Sequence, residues 1–294
     1  MSRGCTLESS KSISAEGKNI HRIGVVGYGH LGQYLVKAIL DSKDLELGFV
    51  WNRSYENLLG HVDDHLILKD LSKFAERKVD LIVEVAHPSI TDEFGERFLE
   101  HADYMVGSPT TFASEEIWKK IFAKACSNSQ GHGLYVPSGA FWGAEDVKKM
   151  ADRGTLEGLK ITMKKAPSAF KLCGELKAKN EQVTKDAVVL YSGPVRDLCP
   201  LAPNNVNTMA GAAIAAHNFG FDGVQGCLIS DPSLDCHVVE IEVFGPGEEG
   251  NRFHVKTVRT NPAEPGVLTG NATYSSFLSS MLVSRHKGVG VHLS

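Results

Sequence analysis

Three glycines and one histidine carry the first chemical signals of this chain. The glycines stand in Gly27-Tyr28-Gly29-His30-Leu31-Gly32, directly after the apolar run from Ile20 to Val26 and before a helical pattern. That order turns a weak glycine motif into a βα turn able to receive a pyrophosphate, with His30 and Leu31 opening a helix whose amides point at an anion. Gly27 permits the tight turn, Gly29 lets backbone approach a phosphate, and Gly32 lets the helix pack closely. The histidine lies in Asp231-Pro232-Ser233-Leu234-Asp235-Cys236-His237-Val238-Val239-Glu240-Ile241. Strand alternation places His237 on one face with Val239 and Ile241, and Glu240 on the other. An imidazole handles protons near neutral pH, and Asp231 or Asp235 is close enough in sequence to orient it; a structural strand histidine is the alternative.

Four further segments bear on ligands. Asn52-Arg53 follows the strand pattern Glu46 to Trp51, twenty residues beyond Gly32, where dinucleotide folds place an acidic residue on the adenosine ribose. Asn52 can bond a ribose hydroxyl without repelling a ribose phosphate, and Arg53 can attract one or simply face solvent. NAD or NADP is the cofactor this pattern predicts. Asp80-Leu81-Ile82-Val83-Glu84-Val85-Ala86-His87-Pro88 reads as a strand running into a cofactor-facing loop at Ala86, with Glu84 a satisfied carboxylate that orients a loop or helix terminus. Val136-Pro137-Ser138-Gly139-Ala140-Phe141-Trp142-Gly143 puts small residues and backbone amides at an interdomain junction, with Ser138 a candidate for substrate, suited to nicotinamide or a substrate carboxylate unless it is only a turn. Thr162-Met163-Lys164-Lys165 offers two cations, Lys164 and Lys165, to an acidic substrate or to solvent.

The elements that must position these residues are legible in outline. Strand patterns at 20–26, 46–51, 79–85 and near 103–107 alternate with helical patterns at 31–41, 70–77, 91–100 and 114–125. They predict an α/β, Rossmann-type dinucleotide-binding domain over 19–136, preceded by a disordered extension over 1–18. Past residue 136 the pattern changes to strands at 156–163, 187–191, 224–229, 236–244 and 252–259, with a helix near 206–219 and a hairpin at Gly245 to Gly250. These predict a second α+β domain over 137–262, on a largely antiparallel or mixed sheet, for substrate; the role in dimerisation expected of it rests on the family resemblance given below. A late helix at about 264–284 would return to the nucleotide domain within a 263–294 tail.

At 294 residues and 42% hydrophobic, the chain can bury two moderate cores. Its 31 basic and 35 acidic residues leave a net charge of −4 with no long charge block, which argues against nucleic acid as a main partner. The six cysteines form no close zinc-type pairs, so free thiols, no metal and a cytoplasmic setting are expected. The polar start lacks a signal-peptide core, and no apolar run is long enough for a membrane span.

Over roughly residues 20–290 the chain resembles the L-aspartate dehydrogenase family. The resemblance rests on the glycine turn, Val83-Glu84-Val85-Ala86, Pro137-Ser138-Gly139-Ala140, Asn205-Val206-Asn207, and Asp231-Pro232 through Glu240. It implies a homodimeric oxidoreductase that converts L-aspartate reversibly to oxaloacetate and ammonia with NAD or NADP. It also implies that Ala140 and Asn207 belong to the cofactor site and that a histidine just before Glu240 does acid-base work. The family pattern is Asn-x-His-Glu-Ile, where this chain has His237-Val238-Val239-Glu240-Ile241. Anchored on Glu240, Val239 takes the histidine's place; anchored on the spacing from Asn207, His237 does. A shift of two along a strand moves a side chain by about 6–7 Å, more than a hydrogen bond tolerates. That leaves open a cofactor-binding sensor or regulatory protein, or a reductase for another small oxo acid or semialdehyde.

Overall fold

The computed structural model describes residues 20–127, 131–248, 250–263, 266 and 271–294, so the extension expected over 1–18 lies outside the described residues. Strands β1 (His21–Val26), β2 (Leu45–Trp51), β3 (Leu81–Glu84), β4 (Asp103–Val106) and β5 (Gly133–Val136) pair in the order β5-β4-β3-β1-β2, all parallel. Helices cover both faces of such a sheet, which is why its strands read as runs of Val, Ile and Leu. Ile23, Val25, Leu81, Ile82 and Val83 are fully buried. The connecting helices are α1 (His30–Leu40), α2 (Pro88–His101) and α3 (Glu115–Ser127). α2 starts where Pro88 supplies a preset φ and the His87 ring accepts the Ser89 amide. The sequence pattern over 70–77 suggests an α-helix, but residues 71–77 wind as a 3-10 helix between an Asp70 cap and Lys78 in the left-handed region. The segment is short and still buries Leu71 and Phe74, the latter edge-on to Phe98 at 4.7 Å, so the tighter winding suffices to place its apolar face.

The second unit contains α4 (Ala144–Asp152), β6 (Gly158–Lys165), α5 (Gly174–Glu181), β7 (Val188–Pro194), α6 (Val195–Leu198), α7 (Asn207–Ala215), α8 (Gly220–Gly223), β8 (Gln225–Ser230), β9 (Cys236–Glu248) and β10 (Asn251–Pro262). Its strand order is β10-β9-β6-β8-β7, and β6–β8 is the one parallel pair, so the sheet is mixed. Burial alternates along β9, with His237, Val239, Ile241 and Val243 buried and their neighbours half-exposed. One sheet face is therefore covered and the other is not. The hairpin is tighter than the Gly245–Gly250 segment implied, because β9 runs on through Gly247 to pair Glu248 with Asn251. A bulge in β9, where Gly245 and Pro246 stand opposite Phe253 alone, then shifts the register with β10 by one.

The chain finally returns to the first sheet. In α9 (Asn271–Val283), Tyr274 stacks on Tyr34 of α1 at 5.5 Å, and Phe277 and Met281 enter the core beneath β1 and β3. β11 (Gly290–Leu293) then adds in parallel beside β5 as a sixth strand, which no local pattern foretold. A single apolar cluster runs from Val26 and Phe98 through Phe141 and Val147 to Ile161 and Val239, joining the two sheets. The Thr110 hydroxyl reinforces that junction by donating to the Pro203 carbonyl at 2.9 Å. Among the described residues no helix is long and apolar enough to cross a membrane, and Cys126, Cys173, Cys199, Cys227 and Cys236 are free thiols.

Candidate active site

The glycine turn divides its labour as the spacing predicts. Gly27 has a φ of 115°, and a Cβ there would lie 2.8 Å from the Ala86 amide nitrogen. A Cβ on Gly32 would stand 2.1 Å from the Gly27 carbonyl oxygen, so helix and turn close only without a side chain. At Gly29 a Cβ would meet nothing within 4 Å, which leaves open space in front of the backbone. Gly29 caps α1 without a side-chain bond, and the first helical bond runs from Gln33 to Gly29. The amides before Gln33 therefore face that space without intrahelical acceptors, as an anion requires. Asn52 holds the turn from β2: its Oδ1 accepts the Tyr28 amide at 3.2 Å, and its Nδ2 donates to the Ser54 carbonyl at 2.9 Å. Arg53 beside it is exposed and has no acidic partner among the described residues.

Glu84 fixes the next two loops. It ends β3 fully buried and accepts the Ala86 and His87 amides at 2.7 and 2.8 Å, the Ser108 amide at 3.0 Å and the Ser108 hydroxyl at 3.1 Å. Burial pushes its carboxyl up to about 7, against the pull of these bonds. Its role is to orient loops.

From the turn a trough runs past Ala86 and Ser108 to Asn207, with His30 and Leu31 at its start and Lys171 and Tyr274 along its side. Leu31, Gly107, Asn204 and Asn207 also line a cavity at the far end, where the trough meets the mixed sheet. Asn207 opens α7, and its Oδ1 is buried without a hydrogen-bond partner. A buried amide oxygen without a donor is costly unless a ligand provides one. A carboxamide would provide it, and the open space at Gly29 would accept a pyrophosphate. The residues present thus fit a nicotinamide dinucleotide.

The cavity floor is a patch of sheet two rows deep. Register pairs Val239 with Arg259 on β10 and with Met163 on β6, and His237 with Asn261. Lys165, one residue past the Lys164–Val238 pair, falls beside His237. The rows are therefore Arg259-Val239-Met163 and Asn261-His237-Lys165, all six lining the cavity. Strands are about 4.8 Å apart, and same-face neighbours along a strand about 6–7 Å. Lys165 is 3% exposed with its ammonium 5.9 Å from the Phe170 ring centroid, and burial pulls it down to about 8. Above the floor lie Ser138 and Ala140. Their loop is fixed from two sides: the Ser138 amide donates to the Ser294 carbonyl at 2.7 Å, and Arg259 and Ser276 both donate to the Gly139 carbonyl at 3.1 Å.

The fold thus brings Ser138, Ala140, Lys165, Asn207 and His237 around one cavity, and Gly29, His30, Leu31, Ala86 and Asn207 along the trough. It separates the two lysines. Lys164 faces the other side of β6, where it forms an ion pair with Glu240, which Lys256 shares at 2.9 Å, so the expectation that Lys164 binds substrate is corrected. The alternation Leu159, Ile161, Met163, Lys165 already held that answer. Neither aspartate proposed to orient His237 lines the cavity: Asp231 accepts the Ser233 amide and hydroxyl at 3.0 and 2.6 Å, and Asp235 is exposed beside Cys236. Sequence reasoning missed Arg259, Asn261 and Lys171. Among the described residues no group of three or more His, Cys, Asp or Glu side chains converges as a metal would need.

Residues 146–280 match the family described as aspartate dehydrogenase, C-terminal, and residues 27–137 that described as homoserine dehydrogenase, NAD binding domain. An aspartate dehydrogenase domain-containing protein of Xenopus tropicalis is 55% identical over 278 residues, covering 92% of this chain and 97% of the relative. An L-aspartate dehydrogenase of Methanocaldococcus jannaschii is 25% identical over 201 residues, 66% of this chain and 74% of the relative. The crystal structure of aspartate dehydrogenase from Thermotoga maritima matches with a TM-score of 0.66 at 19% identity, over 91% of this chain and 97% of the other, a likeness of fold. With a glycine turn, a trough and a cavity on the mixed sheet joined in one chain, and a vertebrate relative matched nearly end to end, the chain belongs to the aspartate dehydrogenase family.

Proposed function

We propose that this chain catalyses the reversible NAD(P)-dependent oxidative deamination of L-aspartate to oxaloacetate and ammonia. The observation that carries the reading is a trough that begins at uncapped helix amides, passes an orphaned amide oxygen on Asn207, and ends on a cavity holding Lys165 and His237. The turn at Gly27, Gly29, His30, Leu31 and Gly32 would hold the pyrophosphate, Ala86 would line its path, and Ala140 and Asn207 would hold the nicotinamide end. When bound, the nicotinamide supplies the hydride acceptor or donor. Ser138 and Lys165 bind substrate carboxylate. His237 takes a proton from the substrate ammonium and returns one as water converts the imino acid to oxaloacetate and ammonia.

Dual cofactor use is part of the proposal, since Asn52 brings no carboxylate to the ribose and Arg53 is free to meet a ribose phosphate. So are a homodimer formed through a substrate and dimerisation domain at 137–262, joined to a nucleotide domain at 19–136, and a cytoplasmic setting.

Purified protein with L-aspartate and either oxidised cofactor should generate reduced cofactor, and His237→Ala should lower kcat by about 100-fold or more. No turnover above the His237→Ala control with either cofactor would overturn the assignment. Calorimetry separates the binding-only alternative, which requires tight cofactor binding without turnover of any small amino or oxo acid. In the same assays Arg53→Ala should weaken NADP selectively; equal losses for both cofactors would remove Arg53 from cofactor choice.

A further inference from the structure

Arg259 on β10 is a guanidinium that lines the cavity and, among the described residues, meets no acidic side chain. Lys164 and Lys256 share Glu240, Arg252 meets Glu157 at 2.9 Å, and Arg196 makes a two-pronged contact with Asp222. Arg259 is half-buried, lines the cavity, and among the described residues forms no ion pair. Among the described residues its acceptor is the Gly139 carbonyl, at 3.1 Å from Nη1. Burial lowers its proton affinity, as expected for a cation drawn from water without a counter-charge. A guanidinium offers five donors in a rigid plane, so one bond to Gly139 leaves a fork free for a carboxylate. The bond also aims that fork, because the Ser276 hydroxyl holds the same carbonyl from α9.

Position on the floor decides which carboxylate. Lys165 and Arg259 occupy opposite corners of the two-row patch, with His237 beside Lys165 and Val239 beside Arg259. A substrate held by Lys165 with its reacting carbon near His237 projects its remaining group over Val239 toward Arg259. We propose that Arg259 selects dicarboxylate substrates by binding the side-chain carboxylate, while Ser138 and Lys165 take the carboxylate next to the reacting carbon. The inference rests on the dehydrogenase reading above. A monocarboxylate leaves the guanidinium facing an apolar wall with no anion, which is the basis of discrimination.

The test uses full-length protein loaded with reduced cofactor, titrated calorimetrically with succinate and with butyrate, alongside steady-state kinetics with L-aspartate. Wild type should prefer succinate by about 10- to 150-fold, the range for charge-assisted hydrogen bonds. Arg259→Gln should abolish that preference and raise the L-aspartate KM by a similar factor, with kcat changed less and cofactor affinity held within about twofold. Arg259→Lys, which keeps the charge and loses the fork, should fall between the two, and it decides the matter if the glutamine variant does not fold. A variant that retains the full succinate preference overturns the role of Arg259 alone. Wild-type protein that binds cofactor but neither acid overturns the substrate reading and this inference together.

Discussion

Lys165 continues the apolar face of β6 into the cavity, and the consequence is a lysine whose ammonium titrates near 8 rather than at its ordinary 10.5. The cause is desolvation of the charged form. Below about pH 8 the group is cationic and can hold a carboxylate; above it the attraction fades. The L-aspartate KM should therefore rise as pH passes upward through about 8, and Lys165→Met should raise the KM at neutral pH while erasing that limb. The sign for stability is the reverse. Between about 8 and 10.5 the unfolded chain binds a proton at Lys165 that the folded chain does not, so stability rises with pH across this window, by on the order of 3 kcal/mol in total. Below about 8 both states bind it and the contribution is absent. Urea titrations across that window should show the slope in wild type and its loss in Lys165→Met; an unchanged slope would mean that another group titrates.

At the scale of the element, the C-terminal ends of β3 and β4 are bound together by one carboxylate. Glu84 accepts from the loop after β3 at Ala86 and His87 and from the loop after β4 at Ser108, and Ala86 and Ser108 both line the trough. Glu84→Gln keeps the shape and replaces one acceptor oxygen by an NH2 group, which must then face a buried amide. A loss of about 1–3 kcal/mol in unfolding free energy follows from the unsatisfied donor. Cofactor affinity should fall with it, because the displaced loop backbone forms the trough wall. Denaturant titration and fluorescence of bound reduced cofactor measure the two effects. Loss of stability with unchanged affinity would separate the brace from the trough.

At the scale of the molecule, the two sheets share one core and the chain crosses between them twice. α9 returns to α1, β11 pairs with β5, and the Ser294 carbonyl receives the Ser138 amide, so the segment after β11 helps set the cavity loop. β10 is one of the two edge strands of the mixed sheet, and Phe253, Val255 and Val258 on it are exposed beside charged neighbours. A second copy covering this region is what the proposed homodimer requires. Light scattering after size-exclusion chromatography should give twice the chain mass, and a monomer from low to high micromolar concentration would overturn the dimer.

The sequence by itself determined the features that depend on local order along the chain. The glycine turn is one, because a strand, a tight turn and a helix must follow one another within a few residues, and Gly27 and Gly32 admit no side chain where they stand. The alternating strands of the mixed sheet are another, since period-two burial is written into β9 residue by residue. The sequence also placed His237 with Val239 on one face. What only the tertiary structure decided is register and long-range pairing. Continued from the Glu248–Asn251 pair without interruption, β10 would set Thr260 opposite Val239; the bulge in β9 at Gly245 and Pro246 sets Arg259 there, on the cavity face. The extra residue lies on β9, where Gly245 and Pro246 stand opposite Phe253 alone; Gly-Pro-Gly inside a strand marks a bulge, but which pairs follow is fixed only when the strands meet. The same holds for β11, Lys171 and the fixing of Ser138 by Ser294, whose partners lie far away in the chain and meet only when the shared core forms.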